Sequence, residues 1–119
     1  MAHILVIDDD PVIAELVRSV LEEGGHRATA HPGLDGVRPD AYDVVITDLL
    51  LPAAYSAADA AAWVAQVRER VPGTPVLVCT AHRSAANDTE AMGADAVCTK
   101  PFDVDLLLET VERLGRGAG

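Results

Sequence analysis

Four short apolar runs, each stopping at a residue able to do chemistry, constrain this chain more than any other feature. Ile4-Leu5-Val6-Ile7 runs into Asp8-Asp9, and Val44-Val45-Ile46-Thr47 into Asp48. Val76-Leu77-Val78-Cys79 runs into Thr80, and Ala96-Val97-Cys98-Thr99 into Lys100-Pro101. Continuous apolar runs bounded by turn residues are the pattern of strands buried on both faces, and so of a parallel sheet. In a doubly wound α/β sheet, ligands sit beyond the carboxyl ends of the strands. The pattern therefore predicts that Asp8, Asp9, Asp48, Thr80 and Lys100 gather at one edge. Three carboxylates, a hydroxyl and an ammonium are suited to hold a divalent cation and a phosphoryl group.

Helical patterns fill the intervals. The first strand is expected over His3–Ile7 and the first helix over Pro11–Glu23. Asp10 is its N-cap, Pro11 takes the first helical position, and Gly24-Gly25 stops it. Its apolar residues Ile13, Leu16, Val17, Val20 and Leu21 recur at helical spacing. A short, weak second strand is expected over Arg27–Ala30. Where a second helix would follow, Pro32, Gly33, Gly36 and Pro39 leave room for about one turn. The third strand is expected over Val44–Thr47, then a helix over Ala57–Val71 between an N-cap at Ser56 and a stop at Pro72-Gly73. A strand over Val76–Cys79, a poor helix over Ala85–Met92, a strand over Ala96–Thr99 and a helix over Val104–Leu114 starting from Asp103 complete the alternation. Residues 1–114 read as one domain. The tail, residues 115–119, reads as a flexible end or the start of a linker.

Composition narrows the classes. Only 3% of residues are aromatic while 50% are hydrophobic, so the core must be aliphatic. No apolar stretch approaches the ~20 residues of a membrane span, and Met1-Ala2-His3 lacks the basic start of a signal peptide, so a cytoplasmic location without membrane contact is expected. The net charge of −10 repels a phosphate backbone and excludes direct nucleic-acid binding by this domain. Cys79 and Cys98 fall inside adjacent expected strands, without metal-ligand spacing, and read as reduced core thiols. His3, His26 and His31 share no ligand spacing and read as surface or strand-edge residues.

The run Ile4-Leu5-Val6-Ile7-Asp8-Asp9-Asp10-Pro11, the strand ending in Asp48 with Pro52 after it, Pro75-Val76-Leu77-Val78-Cys79-Thr80-Ala81, and Lys100-Pro101-Phe102 together resemble the response-regulator receiver domain of two-component signalling. The match spans almost the whole chain, in order. It implies a flavodoxin-like, doubly wound five-stranded parallel sheet in the order 2-1-3-4-5, here with a shortened or missing second helix. It also implies that Asp48 is the phosphoacceptor, charged by a phosphohistidine on a sensor histidine kinase or phosphotransfer protein. By the same resemblance Asp9 binds Mg²⁺ directly, Asp8 holds or positions it, and Asp48 and the main-chain carbonyl of Leu50 complete the protein ligands. Thr80 and Lys100 would engage phosphoryl oxygens. The implied activity is a switch that assists only its own phosphorylation and dephosphorylation, with a homodimer through the face of residues 85–92, 96–99 and 104–114 as one output.

Independent physics asks for the same residue types. A carboxylate is a competent nucleophile toward phosphorus. Phosphoryl transfer needs mostly positioning and charge neutralisation. Unit negative charges ~4 Å apart repel by ~4 kcal/mol at an effective dielectric of 20, so three clustered carboxylates need a cation. Mg²⁺ prefers one or two carboxylates, waters and phosphate oxygens.

The sequence also departs from the family pattern. Ala53-Ala54-Tyr55-Ser56 stands where glycines are usual after the proline, and Val97 stands where a switching aromatic is usual. His82 either tunes phosphoryl lifetime or is an ordinary loop histidine. These departures keep open a docking or relay module that switches weakly. Two further chemistries share the residue types. A flavin carrier would need a phosphate-cradling loop where Asp8-Asp9-Asp10 stands. A phosphohydrolase using Asp8 and Asp10 would leave Asp48 without a role.

Overall fold

The computed structural model describes residues 2–39 and 41–117. Strands β1 (His3–Ile7), β2 (Arg27–His31), β3 (Val44–Thr47), β4 (Val76–Thr80) and β5 (Ala96–Thr99) form one parallel sheet in the order β2-β1-β3-β4-β5. This is the flavodoxin-like order expected from the sequence. Helices α1 (Pro11–Glu23), α2 (Ala57–Arg70), α3 (Thr89–Met92) and α4 (Val104–Gly117) connect or follow the strands, with a 3₁₀ turn at Arg83–Asp88.

The strands are apolar throughout because both faces are covered. Ile4, Val6, Val44, Ile46, Leu77 and Cys79 pack against α1 and α4, which contribute residues such as Val17, Leu21, Leu107 and Val111. The alternate residues, Leu5, Ile7, Val45, Val76 and Val78, pack against α2 and the α3 region through Ala60, Val64, Val67, Ala85 and Met92. The core is aliphatic on both faces, as so few aromatics require.

Local chemistry sets the helix ends. The Asp10 carboxylate accepts the amides of Val12 at 2.9 Å and Ile13 at 3.4 Å, capping α1. Ser56 Oγ accepts the Asp59 amide at 3.1 Å, and Asp103 Oδ1 accepts that of Leu106 at 3.0 Å. The expected poor helix splits into the 3₁₀ turn and the four residues of α3. Asn87, Asp88 and Thr89 compete for backbone groups there, and Thr89 Oγ1 donates to the Ala86 carbonyl at 3.3 Å. Gly93, at φ 78°, ends α3 in the left-handed conformation that glycine tolerates.

Six expectations shift. β2 and β4 each run one residue further, to His31 and Thr80, while α2 closes at Arg70 with Val71 as its cap. α4 continues past Leu114 to Gly117; Gly115 lies against β3, where an added Cβ would meet Val44 Cγ2 at 3.8 Å. Ala118 and Gly119, the end of the expected flexible tail, lie outside the described residues. Leu16 of α1 is 51% exposed rather than in the core. The His26 ring is not a surface group: it is buried, and its Nδ1 accepts the Ala2 amide at 3.2 Å. Between β2 and β3 the described residues form bends and turns with no helix, as the prolines and glycines require. No helix among the described residues is long and apolar enough to cross a membrane.

Candidate functional site

The backbone ladder carries Asp8, Asp48 and Lys100 each one step past its strand. The Asp8 amide donates to the His31 carbonyl at 3.2 Å, Asp48 to Ile7 at 2.8 Å, and Lys100 to Thr80 at 2.7 Å. The side chains of Asp8, Asp48 and Lys100 thereby start from one edge of the sheet. Asp8 is buried: its Oδ1 accepts the Asp10 amide at 2.9 Å and its Oδ2 accepts the Lys100 ammonium at 2.9 Å. Asp48 is half-buried, its Oδ1 accepting the Leu49 amide at 2.8 Å and its Oδ2 lying 3.6 Å from Lys100 Nζ. Asp9 is exposed. Asp8, Asp9 and Asp48 each offer an oxygen within 4.8 Å of the others.

Three carboxylates this close face a single ammonium, and the acid–base balance of the cluster reflects it. Burial pushes the Asp48 carboxyl above its ordinary value; Lys100 and the Leu49 amide oppose the rise, and Asp8 and Asp9 reinforce it. Burial pulls the Lys100 ammonium down, but its hydrogen bond to Asp8 and the charges of Asp48 and Asp8 outweigh this, and its pKa is raised. Lys100 therefore stays cationic, while Asp48 is a more basic carboxylate than a free one. The oxygen-only donor set, with one member exposed, fits a hard divalent cation that keeps waters.

Two of the expected residues are less closely engaged. Thr80 is fully buried at the end of β4, and its hydroxyl accepts the His82 amide at 3.2 Å, a local contact. Leu50 is half-buried with its side chain against the α2-side core. Val97 packs against the same core.

Three features surround the site that sequence reasoning missed. The buried Thr47 hydroxyl donates to the Asp48 carbonyl at 2.7 Å and accepts the Trp63 indole N–H at 3.0 Å, so α2 braces the backbone of Asp48. The single Trp, three residues after the buried Ala60 of α2, was the available signal. Tyr55 bridges two loops: its hydroxyl donates to Asp88 at 2.7 Å, and its ring lies 5.5 Å from that of His82 with the planes 28° apart. Burial, then the bond to Asp88, pushes the Tyr55 hydroxyl up to about 12. Third, Ile13, Leu16, Val20, Pro101, Phe102 and Val104 line an apolar groove of about 440 Å³ whose rim includes Lys100.

Residues 4–112 match the family model described as the response regulator receiver domain. The chain is 32% identical over 117 residues to the transcriptional regulatory protein GlrR of Escherichia coli, covering 93% of this chain and 26% of that protein. It is 36% identical over 123 residues to the probable transcriptional regulatory protein TcrX of Mycobacterium tuberculosis, covering 98% of this chain and 50% of that one. The chain thus spans between a quarter and a half of these curated relatives. Among solved structures, the receiver domain of the Francisella response regulator 1452 superposes with a TM-score of 0.77 at 28% identity, covering 100% of both chains.

Proposed function

The chain belongs to the response regulator receiver domain family of two-component signalling, and we propose that it works as a phosphorylated switch with Asp48 as the phosphoacceptor. What supports the reading is one observation: carboxylate oxygens of Asp8, Asp9 and Asp48 within 4.8 Å, with Lys100 at 2.9 Å from Asp8 and 3.6 Å from Asp48. In this reading a carboxylate oxygen of Asp48 attacks the phosphorus of a phosphohistidine. The P–O bond forms as the P–N bond breaks, leaving an acyl phosphate and a free imidazole. Asp8, Asp9, Asp48 and the Leu50 carbonyl would hold Mg²⁺, which screens the carboxylates and neutralises charge on the transferring group. Lys100 exchanges part of its contact with Asp8 for a phosphoryl oxygen. Thr80 exchanges its bond from the His82 amide for another. The module acts on its own Asp48 and not on a separate substrate.

The donor is a sensor histidine kinase or phosphotransfer protein. The apolar groove between α1 and the loop after β5 is the surface on which we dock it, since exposed Leu16 and Val104 lie beside a rim formed by Lys100 itself. Residues 1–114 are the switching unit, and its output face is formed by the 3₁₀ turn, α3, β5 and α4, through which two phosphorylated copies pair. The relatives' transcriptional role is carried over only as the input half; the acidic charge leaves DNA contact to other elements. A second reading, a relay or docking module with weak switching, draws on Val97 and on the local engagement of Thr80.

Acetyl phosphate with Mg²⁺ tests the chemistry. Intact-mass spectrometry should show one phosphoryl adduct, absent in Asp48→Asn and suppressed by a chelator or by Asp9→Ala. An undiminished adduct on Asp48→Asn overturns the assignment.

A further inference from the structure

The phosphoacceptor reading leaves the two cysteines of the chain unused, yet they are paired across adjacent strands. Cys79 of β4 and Cys98 of β5 are register partners, directly beneath the partnered Thr80 and Thr99. Both thiols are free, and both side chains belong to the α1/α4 face of the sheet. Each thiol perturbs the acidity of the other. Adjacent strands run roughly 4.8 Å apart, inside the Cα separation of about 4.4–6.8 Å that a disulfide spans, and side chains on one face have Cβ vectors that do not diverge. Cys79 is 3% exposed, whereas Cys98 is only half-buried, so the two differ in access.

We propose that Cys79 and Cys98 are a reversible oxidation site, closing to an intrachain disulfide on contact with a hydroperoxide and tying β4 to β5 beneath Thr80 and Lys100. Cys98 is the attacking sulfur. It is the reachable one, and its neighbour Cys79 lowers its pKa against the opposing effect of burial, while Cys98 together with burial raises that of Cys79. The Cys98 thiolate attacks one peroxide oxygen, the O–O bond breaks, and hydroxide leaves to be protonated to water. The Cys98 sulfenic acid is then attacked by the Cys79 sulfur. The S–O bond breaks, and the departing hydroxide takes the Cys79 proton as a second water. Two thiols are oxidised and one peroxide is reduced. A dithiol reductant reverses the bridge, and where the surroundings are reducing such bonds are transient and serve sensing.

The position gives the bond a consequence. Thr80 directly follows Cys79, and Lys100 stands two residues after Cys98. A covalent tie between the strands limits the separation of these two groups at the sheet edge. This consequence rests on the phosphoacceptor reading; formation of the bridge does not.

The chain has two cysteines, so an intramolecular loss of two hydrogens has one assignment. Purified reduced protein treated with hydrogen peroxide should lose about 2 Da in intact mass and regain it with dithiothreitol. The loss should be retained in Asp48→Asn and abolished in Cys98→Ser, with Cys98→Ala and circular dichroism as the check that a folded protein is compared. Phosphoryl adduct formation from acetyl phosphate should then be about threefold slower or more in the oxidised protein, a barrier change of about 0.65 kcal/mol or more, and recover on reduction. A mass that does not fall, oxygen adducts accumulating on one cysteine without the bridge, or disulfide-linked dimers in its place would overturn the site. A bridge that leaves the adduct rate unchanged overturns its coupling. Failure of the reduced protein to take an adduct would overturn the Asp48 reading, and the mass readout would still decide the bridge.

Discussion

The two faces of the sheet are built differently. On one, α1 and α4 are long, capped helices of 13 and 14 residues lying over Ile4, Val6, Ile46 and Leu77. On the other, α2 is comparable, but the next segment is a 3₁₀ turn and a four-residue helix. That segment is held by polar contacts as well as by burial of Ala85 and Met92. Tyr55 reaches Asp88, and Arg68 donates to the Gly93 carbonyl at 2.6 Å and to Asp95 at 3.0 Å. The first face is a scaffold. The second depends in part on a few hydrogen bonds, the property that the proposed ligand-driven switch requires.

The largest expected effect tests the scaffold. Leu107 of α4 is 1% exposed in the α1/α4 core, so Leu107→Ala should cost ~3 kcal/mol, read from urea unfolding. Ala85, equally buried on the other face, is already small and is flanked by weak helix, so the 3₁₀ turn should exchange its amides far below the global unfolding free energy. Equal protection of residues 83–92 and 104–114 would erase the distinction between the faces.

A smaller effect probes the site at the edge where the faces meet. Asp48 has a folded pKa above its ordinary value of 3.8, chiefly from burial. The ionised form is therefore disfavoured in the native state, and its cost is present at neutral pH, fading as pH falls through the folded value. Asp48→Asn should accordingly stabilise the protein at pH 7 without metal by on the order of 1 kcal/mol, read as a raised melting temperature, and the gain should shrink toward pH 4. Loss of the attraction to Lys100 offsets part of it, while the Leu49 amide retains an oxygen acceptor. Mg²⁺ should stabilise the unsubstituted protein more than Asp48→Asn. A variant less stable at pH 7 would show that the Lys100 pairing outweighs desolvation.

How much of this was legible follows from the kind of signal involved. The strand order is what the family resemblance implies, whereas the alternation of strands with three long helices and the gathering of Asp8, Asp9, Asp48 and Lys100 at the strand ends rest on continuous apolar runs and on caps such as Asp10 and Ser56. These are properties of neighbours in the chain, and periodicity exposes them. The extension of α4 through Gly115 was hidden because glycine stops helices in general; here the small residue lies against Val44. The outward turn of Leu16 was hidden too, since helical spacing says which residues share a face and not where the covered stripe ends. His26 reads as polar, yet its ring is covered at the lower end of the sheet. The brace from Trp63 to Thr47 and the Tyr55 bridge are pairings between separated segments, and no local pattern announces them.

The Tyr55 bridge gives the smallest and most discriminating test. Val97 is too short to act as the aromatic reporter expected beside Lys100, so under the proposed function a route from Asp48 to the weaker face needs another group. Tyr55 stands in the loop that follows Asp48, bonds Asp88 at the end of the 3₁₀ turn, and stacks on His82, whose amide donates to Thr80. One side chain thus joins both loops that border Asp48, the proposed phosphoacceptor. Tyr55→Phe keeps the ring over His82 and removes only the hydrogen bond to Asp88. Because Tyr55 and Asp88 are partly exposed, that bond should contribute ~1 kcal/mol, near the middle of the range for an intramolecular hydrogen bond. Amide exchange across residues 83–92 should quicken about fivefold in Tyr55→Phe, with residues 104–114 unchanged. The beryllofluoride-induced shifts of residues 80–92 should fall with it. Quickening spread evenly over both faces would mean that the hydroxyl supports the whole fold, and unaltered shifts would return the signal route to Thr80 and the sheet edge alone.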